Sequence, residues 1–177
     1  GVGVKGEIMN RSKTLKLCIA AILMALNIVM SSFSIPVPGG HFYLNDIVIC
    51  TSAILLDPFY AFMVGGGGAF LGDFFFYPVA MFVSLFTHGL QAIVISIFSH
   101  RILKNHPVLA SGLGVFIGAV FMVVGYSLGR AFIYSTPEYA ILKLPYQILQ
   151  AVIGAVVAMI LCWKCGLKKL YENKYSK

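Results

Sequence analysis

The amino-acid sequence predicts an all-α integral membrane protein with six transmembrane helices and both ends in the cytoplasm (N-in/C-in). Three observations carry this. Apolar residues fill 59% of the 177 positions and charged residues only 11%, more apolar surface than one soluble core of this size hides. Mostly apolar segments recur along the chain near the length of roughly 20 residues that crosses a hydrocarbon core of about 30 Å. The basic residues collect at the ends of those segments, chiefly on one side.

Residues 1–12 contain no apolar run of signal-peptide type and are expected to be a leader or appended remnant outside the fold. Residues 13–166 form the membrane domain, and 167–177 form a basic cytoplasmic tail. The first span, 15–33, follows Arg11 and Lys13 and ends where Pro36, Pro38, Gly39 and Gly40 forbid further helix and make a structured loop. A short second span, 44–56, stops at Asp57-Pro58, and Pro58 suits the first turn of a third span, 59–77. Pro78 separates the third span from the fourth, 79–100. A polar connection, 101–106, leads to the fifth span, 108–132. A loop, 133–144, then precedes a sixth span beginning at Pro145 and ending near Cys165.

With both ends inside, Lys5, Arg11, Lys13, Lys16, Arg101, Lys104, Lys164, Lys168, Lys169, Lys174 and Lys177 lie in the cytoplasm, and only Arg130 and Lys143 lie outside. Eleven against two fixes the orientation by the excess of positive charge on cytoplasmic loops. The net charge of +7 therefore belongs to orientation and anionic headgroups. No basic run interleaved with aromatics points to nucleic acid.

Catalytic signatures are missing: there is no H-E-x-x-H, no G-x-S-x-G and no G-x-x-x-x-G-K-[ST]. Gly65 to Gly68 lack the lysine and hydroxyl of a phosphate loop and lie mid-membrane, where they either pack helices closely or unwind a helix beside a site. Ala21 and Ala25, Gly114 and Gly118, Gly125 and Gly129, and Gly154 and Ala158 repeat small residues at helix-contact spacing. Cys162 and Cys165 have a C-x-x-C spacing but no second pair or helical histidine to complete a metal site. His88 with scattered carboxylates is a poor zinc or iron site, so no metal and no cofactor is expected on this chain.

Polar groups inside a membrane are costly enough to mark a candidate site, and here most share one depth in the outer half. Asn45 and Asp46 begin the second span, and Asp73 lies about a turn from the outer end of the third. Ser84, His88 and Gln91, at i, i+4 and i+7, share one face of the fourth. Tyr126 and Arg130 lie near the mouth of the fifth; Gln147 and Gln150 share a face of the sixth. Phe42, Tyr43 and Tyr77 lie close in depth, as pocket aromatics or as an interfacial belt. Asp73 and Arg130 either serve a ligand or pair with each other. Such a level of aromatics and hydrogen-bonding groups suits a flat ligand with polar edges.

The run Leu44-Asn45-Asp46-Ile47-Val48, then Ala53-Ile54-Leu55-Leu56-Asp57-Pro58, then Gly65-Gly66-Gly67-Gly68-Ala69-Phe70-Leu71-Gly72-Asp73, then Phe86-Thr87-His88-Gly89-Leu90-Gln91 resembles the substrate-binding S components of energy-coupling-factor (ECF) vitamin transporters. The resemblance covers about residues 13–165 and is greatest to the riboflavin, hydroxymethylpyrimidine and pyridoxine branch. It implies a multi-pass protein of a bacterial-type plasma membrane that binds a vitamin in its outer half, with residues 34–43 as a lid. It implies docking through an A-x-x-x-A motif, here Ala21 and Ala25, onto a membrane scaffold, the T component. Two cytoplasmic ATPases, which carry ATP and Mg, would supply the energy. Binding residues would come from Phe42, Asn45, Asp46, Asp73, Ser84, His88, Gln91, Tyr126, Arg130, Gln147 and Gln150. With no cation cluster expected at the mouth, a neutral heteroaromatic alcohol such as hydroxymethylpyrimidine or a pyridoxine-type vitamer leads. Riboflavin follows, and then pantothenate, whose carboxylate would need Arg130 free.

Two other classes compete. A structural subunit without a ligand predicts fully paired polar groups and no cavity. An intramembrane enzyme would need Asp73 and His88 within hydrogen-bond reach.

Overall fold

In the computed structural model, which describes residues 2–175, the chain is a bundle of helices with one β-hairpin. In chain order these are α1 (Val2–Ser32), β1 (Ser34–Val37), β2 (Gly40–Tyr43), α2 (Asn45–Leu55), α3 (Pro58–Phe76), α4 (Pro78–Arg101), α5 (Pro107–Tyr134), α6 (Pro137–Lys164) and α7 (Leu167–Tyr175). Among the described residues, five helices, α1 and α3 to α6, are long and apolar enough to cross a membrane. The sixth expected span, α2, is helical over only 11 residues, about 16 Å at 1.5 Å per residue, or half of a hydrocarbon core.

The missing half of that crossing is the hairpin. Strands β1 and β2 pair antiparallel from Ser34 opposite Tyr43 to Val37 opposite Gly40. Pro38 and Gly39 form the turn, Gly39 at φ +87°, which is the proline-then-left-handed-glycine order of a type II turn. The structured loop expected at residues 34–43 is therefore a pair of strands. Tyr43 donates its backbone N–H to Gln150 Oε1 at 3.1 Å, and Gln150 lies thirteen residues, or about 20 Å, along α6 from Pro137. The strand thus descends into the bundle before α2 begins, against the wall of other helices that non-helical backbone at this depth requires.

Helix α2 is the central post. Ten of its eleven residues are buried, so it faces protein rather than lipid. Ile49, Ile54, Val64, Ala92 and Ile95 build the core around it, with Trp163 and Tyr171 packed alongside. Phe74, Phe75, Phe86, Phe116 and Phe132, by contrast, point outward on the long helices, as lipid-facing side chains do. At its far end α2 is held by α7: Lys168, buried, donates Nζ to the Ile54 carbonyl at 2.9 Å. The ammonium thereby satisfies one of the last carbonyls of the helix. His100 Nε2 lies 3.2 Å from the same nitrogen, and Glu172 3.5 Å.

The four glycines pack rather than unwind. Helix α3 continues through them in a π-helical turn, Met63–Gly67. A Cβ on Gly65 would stand 2.8 Å from Ala92 Cβ, and one on Gly66 would stand 2.9 Å from Gly89 Cα, so backbones meet here directly. Asn27 of α1, fully buried, donates Nδ2 to the Val64 carbonyl at 2.8 Å, partnering a carbonyl inside the altered turn.

Two further expectations are corrected. The sixth span starts at Pro137, not Pro145, and the expected loop 133–144 is mostly helix. Thr136 caps it, accepting from the Tyr139 N–H at 3.4 Å, with Pro137 at the first helical position and Glu138 in the first turn. These start signals prevail over Pro145, which sits inside the helix. Helix α1 also runs without a break across the boundary expected at 12/13. The boundary at 166/167 coincides with Gly166, at φ +76°, between α6 and α7.

Candidate functional site

Between the hairpin, α1 and α3 to α6 lies a partly open cavity. Its interior volume is about 40 Å3. Eight of the expected residues line it: Asn45, Asp73, Ser84, His88, Tyr126, Arg130, Gln147 and Gln150. Each comes from the half of its helix nearer the hairpin, which the charge distribution assigns to the outside. Phe42, Asp46 and Gln91, also expected, are buried behind the lining.

Asp46 and Gln91 form the floor. His88 Nδ1 lies 2.7 Å from Gln91 Oε1, Gln91 Nε2 donates to Asp46 Oδ1 at 3.2 Å, and Gln150 Nε2 donates to Asp46 Oδ2 at 2.7 Å. Because the Gln91 amide nitrogen faces the carboxylate, its oxygen faces histidine, and His88 Nδ1 carries the proton. Gln150 turns its own oxygen to Tyr43 N–H. One hydrogen-bonded chain thus runs from hairpin backbone through α6 and α2 to α4.

A second cluster stands on the wall. Ser84 donates to the Asp73 carboxylate and meets the Tyr126 hydroxyl, so α3, α4 and α5 meet at one serine. The ring of Tyr126 stands edge-on to His88, with centroids 5.1 Å apart. Helix α4 comes this close to α5 because α5 offers glycine: a Cβ on Gly125 would lie 2.7 Å from Thr87 Oγ1, and one on Gly129 2.6 Å from Val83 Cγ1. The small-residue spacing in the sequence is therefore an internal contact.

Asp73 and Arg130 do not form the ion pair considered from sequence. Among the described residues the close acid–base pairs are Asp46 with His88, at 3.7 Å, and Lys168 with Glu172. Arg130 instead donates to Gln147 Oε1 at 3.3 Å and lies over the Tyr134 ring. Lys143, assigned from sequence to an outer loop, is buried in α6, lines the cavity and lies over the Tyr43 ring. Two cations therefore face the cavity where no cation cluster was expected. Ser31, His41 and Tyr134 also line it, and the aromatics Tyr43 and Tyr77 belong to the cavity rather than to a belt alone. The signal for Lys143 was present in Lys143 and Gln147, four apart on one helix face with Gln150, but it shows only once the helix is extended back to Pro137.

Two cavity-lining groups keep unused bonding capacity. Asn45 Oδ1 and Tyr134 OH are buried without a hydrogen-bond partner among the described residues.

A family model described as "ECF-type riboflavin transporter, S component" matches residues 11–168. The chain belongs to this family. No curated protein matches it. It is accordingly a multi-pass membrane protein and a substrate-specific transport component, not an enzyme, and ECF S components work with a T component and ATPases.

Proposed function

We propose that this S component serves an importer of a bacterial plasma membrane. It takes a one-ring heteroaromatic vitamin or precursor, of hydroxymethylpyrimidine or pyridoxine type, from outside and hands it to a T component driven by two ATPases. The observation that carries the ligand reading is the pair Asn45 Oδ1 and Tyr134 OH, buried on the cavity and unpartnered. Buried polar groups are almost always satisfied, and a ligand with polar edges satisfies both.

Size favours one ring. The cavity's interior is narrow, smaller than the roughly 300 to 1,000 Å3 of small-molecule sites, so any ligand must part its walls, and a tricyclic ligand with a polyol chain requires the hairpin to withdraw. Riboflavin is the second reading, favoured by the description of the matching family model. The docking reading rests on Ala21 and Ala25, which are exposed on one face of α1 beside the exposed Ile22 and Leu26. Small residues on an open helix face admit a partner helix closely.

Calorimetric titration of the detergent-solubilised chain with hydroxymethylpyrimidine, pyridoxine, pyridoxal, riboflavin and pantothenate tests the reading. Saturable binding of a one-ring compound, weakened tenfold or more by Asn45→Leu, is the expected result. Binding of riboflavin alone replaces the first reading with the second. No binding by folded protein overturns both.

A further inference from the structure

The charges lining the cavity narrow the ligand class, resting on the solute-binding reading above. Arg130 is 6% and Lys143 3% exposed, yet neither has a carboxylate within ion-pair range among the described residues. Arg130 has one neutral acceptor, Gln147 Oε1, and one aromatic face, Tyr134. Lys143 has an aromatic face, Tyr43, and no hydrogen-bond acceptor for its ammonium among the described residues. The two converge beneath the hairpin turn: a single point one bond above the Gly40 Cα is 3.5 Å from Arg130 Nη2 and 3.8 Å from Lys143 Cε. Two like charges side by side in a half-closed membrane cavity repel each other and carry an unrecovered desolvation cost. An anion between them recovers both. Asp73, on α3, also faces the cavity with Ser84 as partner and no cation in ion-pair range.

We infer that Arg130 and Lys143 form an anion subsite under the hairpin and that Asp73 receives a protonated nitrogen, so that the ligand is dipolar. An anionic oxygen sits at one edge of the ligand and a hydrogen-bond donor at another. Pyridoxine-type vitamers have this pattern, an acidic ring hydroxyl near a basic ring nitrogen. Pantothenate offers a carboxylate without a basic nitrogen. Hydroxymethylpyrimidine and riboflavin carry no anionic oxygen at neutral pH. The neutral alcohol expected from sequence followed from leaving Lys143 in a loop.

The test is calorimetric titration of the full chain and of Lys143→Met, Lys143→Arg, Arg130→Met and Asp73→Asn with pyridoxine, pantothenate, hydroxymethylpyrimidine and riboflavin. A ligand with an anionic oxygen should bind tightest, and Lys143→Met and Arg130→Met should each weaken it at least tenfold. Lys143→Arg should retain more affinity than Lys143→Met. Asp73→Asn should weaken pyridoxine and spare pantothenate, which separates the two sources of anionic oxygen. Lys143→Met should unfold at the wild-type temperature or above it, because an unpaired buried charge has gone, which separates lost binding from lost folding. Tightest binding of hydroxymethylpyrimidine or riboflavin, or affinity within twofold of wild type in Lys143→Met, overturns the anion subsite and leaves the solute-binding reading standing. Binding of none by folded protein overturns that reading and this inference together.

Discussion

Replacing Gly154 by alanine tests whether helix packing holds the cavity floor in place. Gly154 faces Asp46 where α6 crosses α2. A Cβ at 154 would stand 3.0 Å from the Asp46 carbonyl carbon, 3.3 Å from its Cα, and nearer still to its Cβ. Ordinary carbon contacts lie at about 3.5 to 4.0 Å, so relieving the Asp46 Cβ contact requires α2 and α6 to separate by about 1 to 1.5 Å. That displacement carries the Gln150–Asp46 bond, 2.7 Å, to about 3.7 to 4.2 Å, past the limit of a hydrogen bond. Overpacking costs about 1 to 3 kcal/mol, and a lost bond to a charged group about 1.5 to 3. The better helix propensity of alanine returns about 1, leaving a destabilisation of about 2 to 5 kcal/mol. Thermal unfolding in detergent with and without ligand reads both effects, since the floor and the hairpin tether share Gln150. Gly112→Ala is the internal control, because its Cβ would meet only Met159 Cε at 3.7 Å and should be neutral or slightly stabilising. If Gly154→Ala unfolds and binds like wild type, the claim that this contact sets the floor is wrong.

The hairpin and the docking face give two more expectations. Gly39→Ala places a side chain at φ +87° with its Cβ 2.6 Å from the Tyr139 carbonyl oxygen. The left-handed backbone alone costs about 1 to 2 kcal/mol, so ligand affinity should fall about 5- to 30-fold through a faster off-rate in stopped-flow measurements; an unchanged off-rate contradicts a closing role for the turn. Ala25→Trp, on the exposed face of α1, should abolish co-purification of the T component while ligand affinity stays at the wild-type value. Unchanged recovery of the T component contradicts docking through that face.

Much of this was legible from residue spacing. Ser84, His88 and Gln91 on one face of α4, and Gln147 and Gln150 on one face of α6, do converge, because helical periodicity carries through regular helix. Burial of charge was not legible. Lys143 and Lys168 read as loop and tail charges because composition assigns lysine to water; they are buried because one faces the cavity and the other meets an open carbonyl on α2. Pro145 misplaced the start of α6, since a proline read locally ends a helix while the Thr136 cap, about two and a half turns earlier, had already begun one. The hairpin carried its turn chemistry in Pro38-Gly39, but its pairing and depth depend on Gln150, over a hundred residues away. The glycine run was ambiguous until Asn27 and Gly89 supplied the surfaces it packs on.

The division of labour between hairpin and bundle bears on how such a protein changes its diet over generations. The helices are fastened to one another by glycine contacts with almost no slack, and most substitutions there would be purged. Residues 34–43 meet the bundle through a short list of contacts, chiefly the Tyr43 N–H on Gln150 and the turn glycines against α6. A lineage can therefore reshape ten residues of ribbon over the mouth with little cost, whereas a change of solute requires substitutions in the bundle itself, where Asn45, Asp73, Arg130 and Lys143 stand.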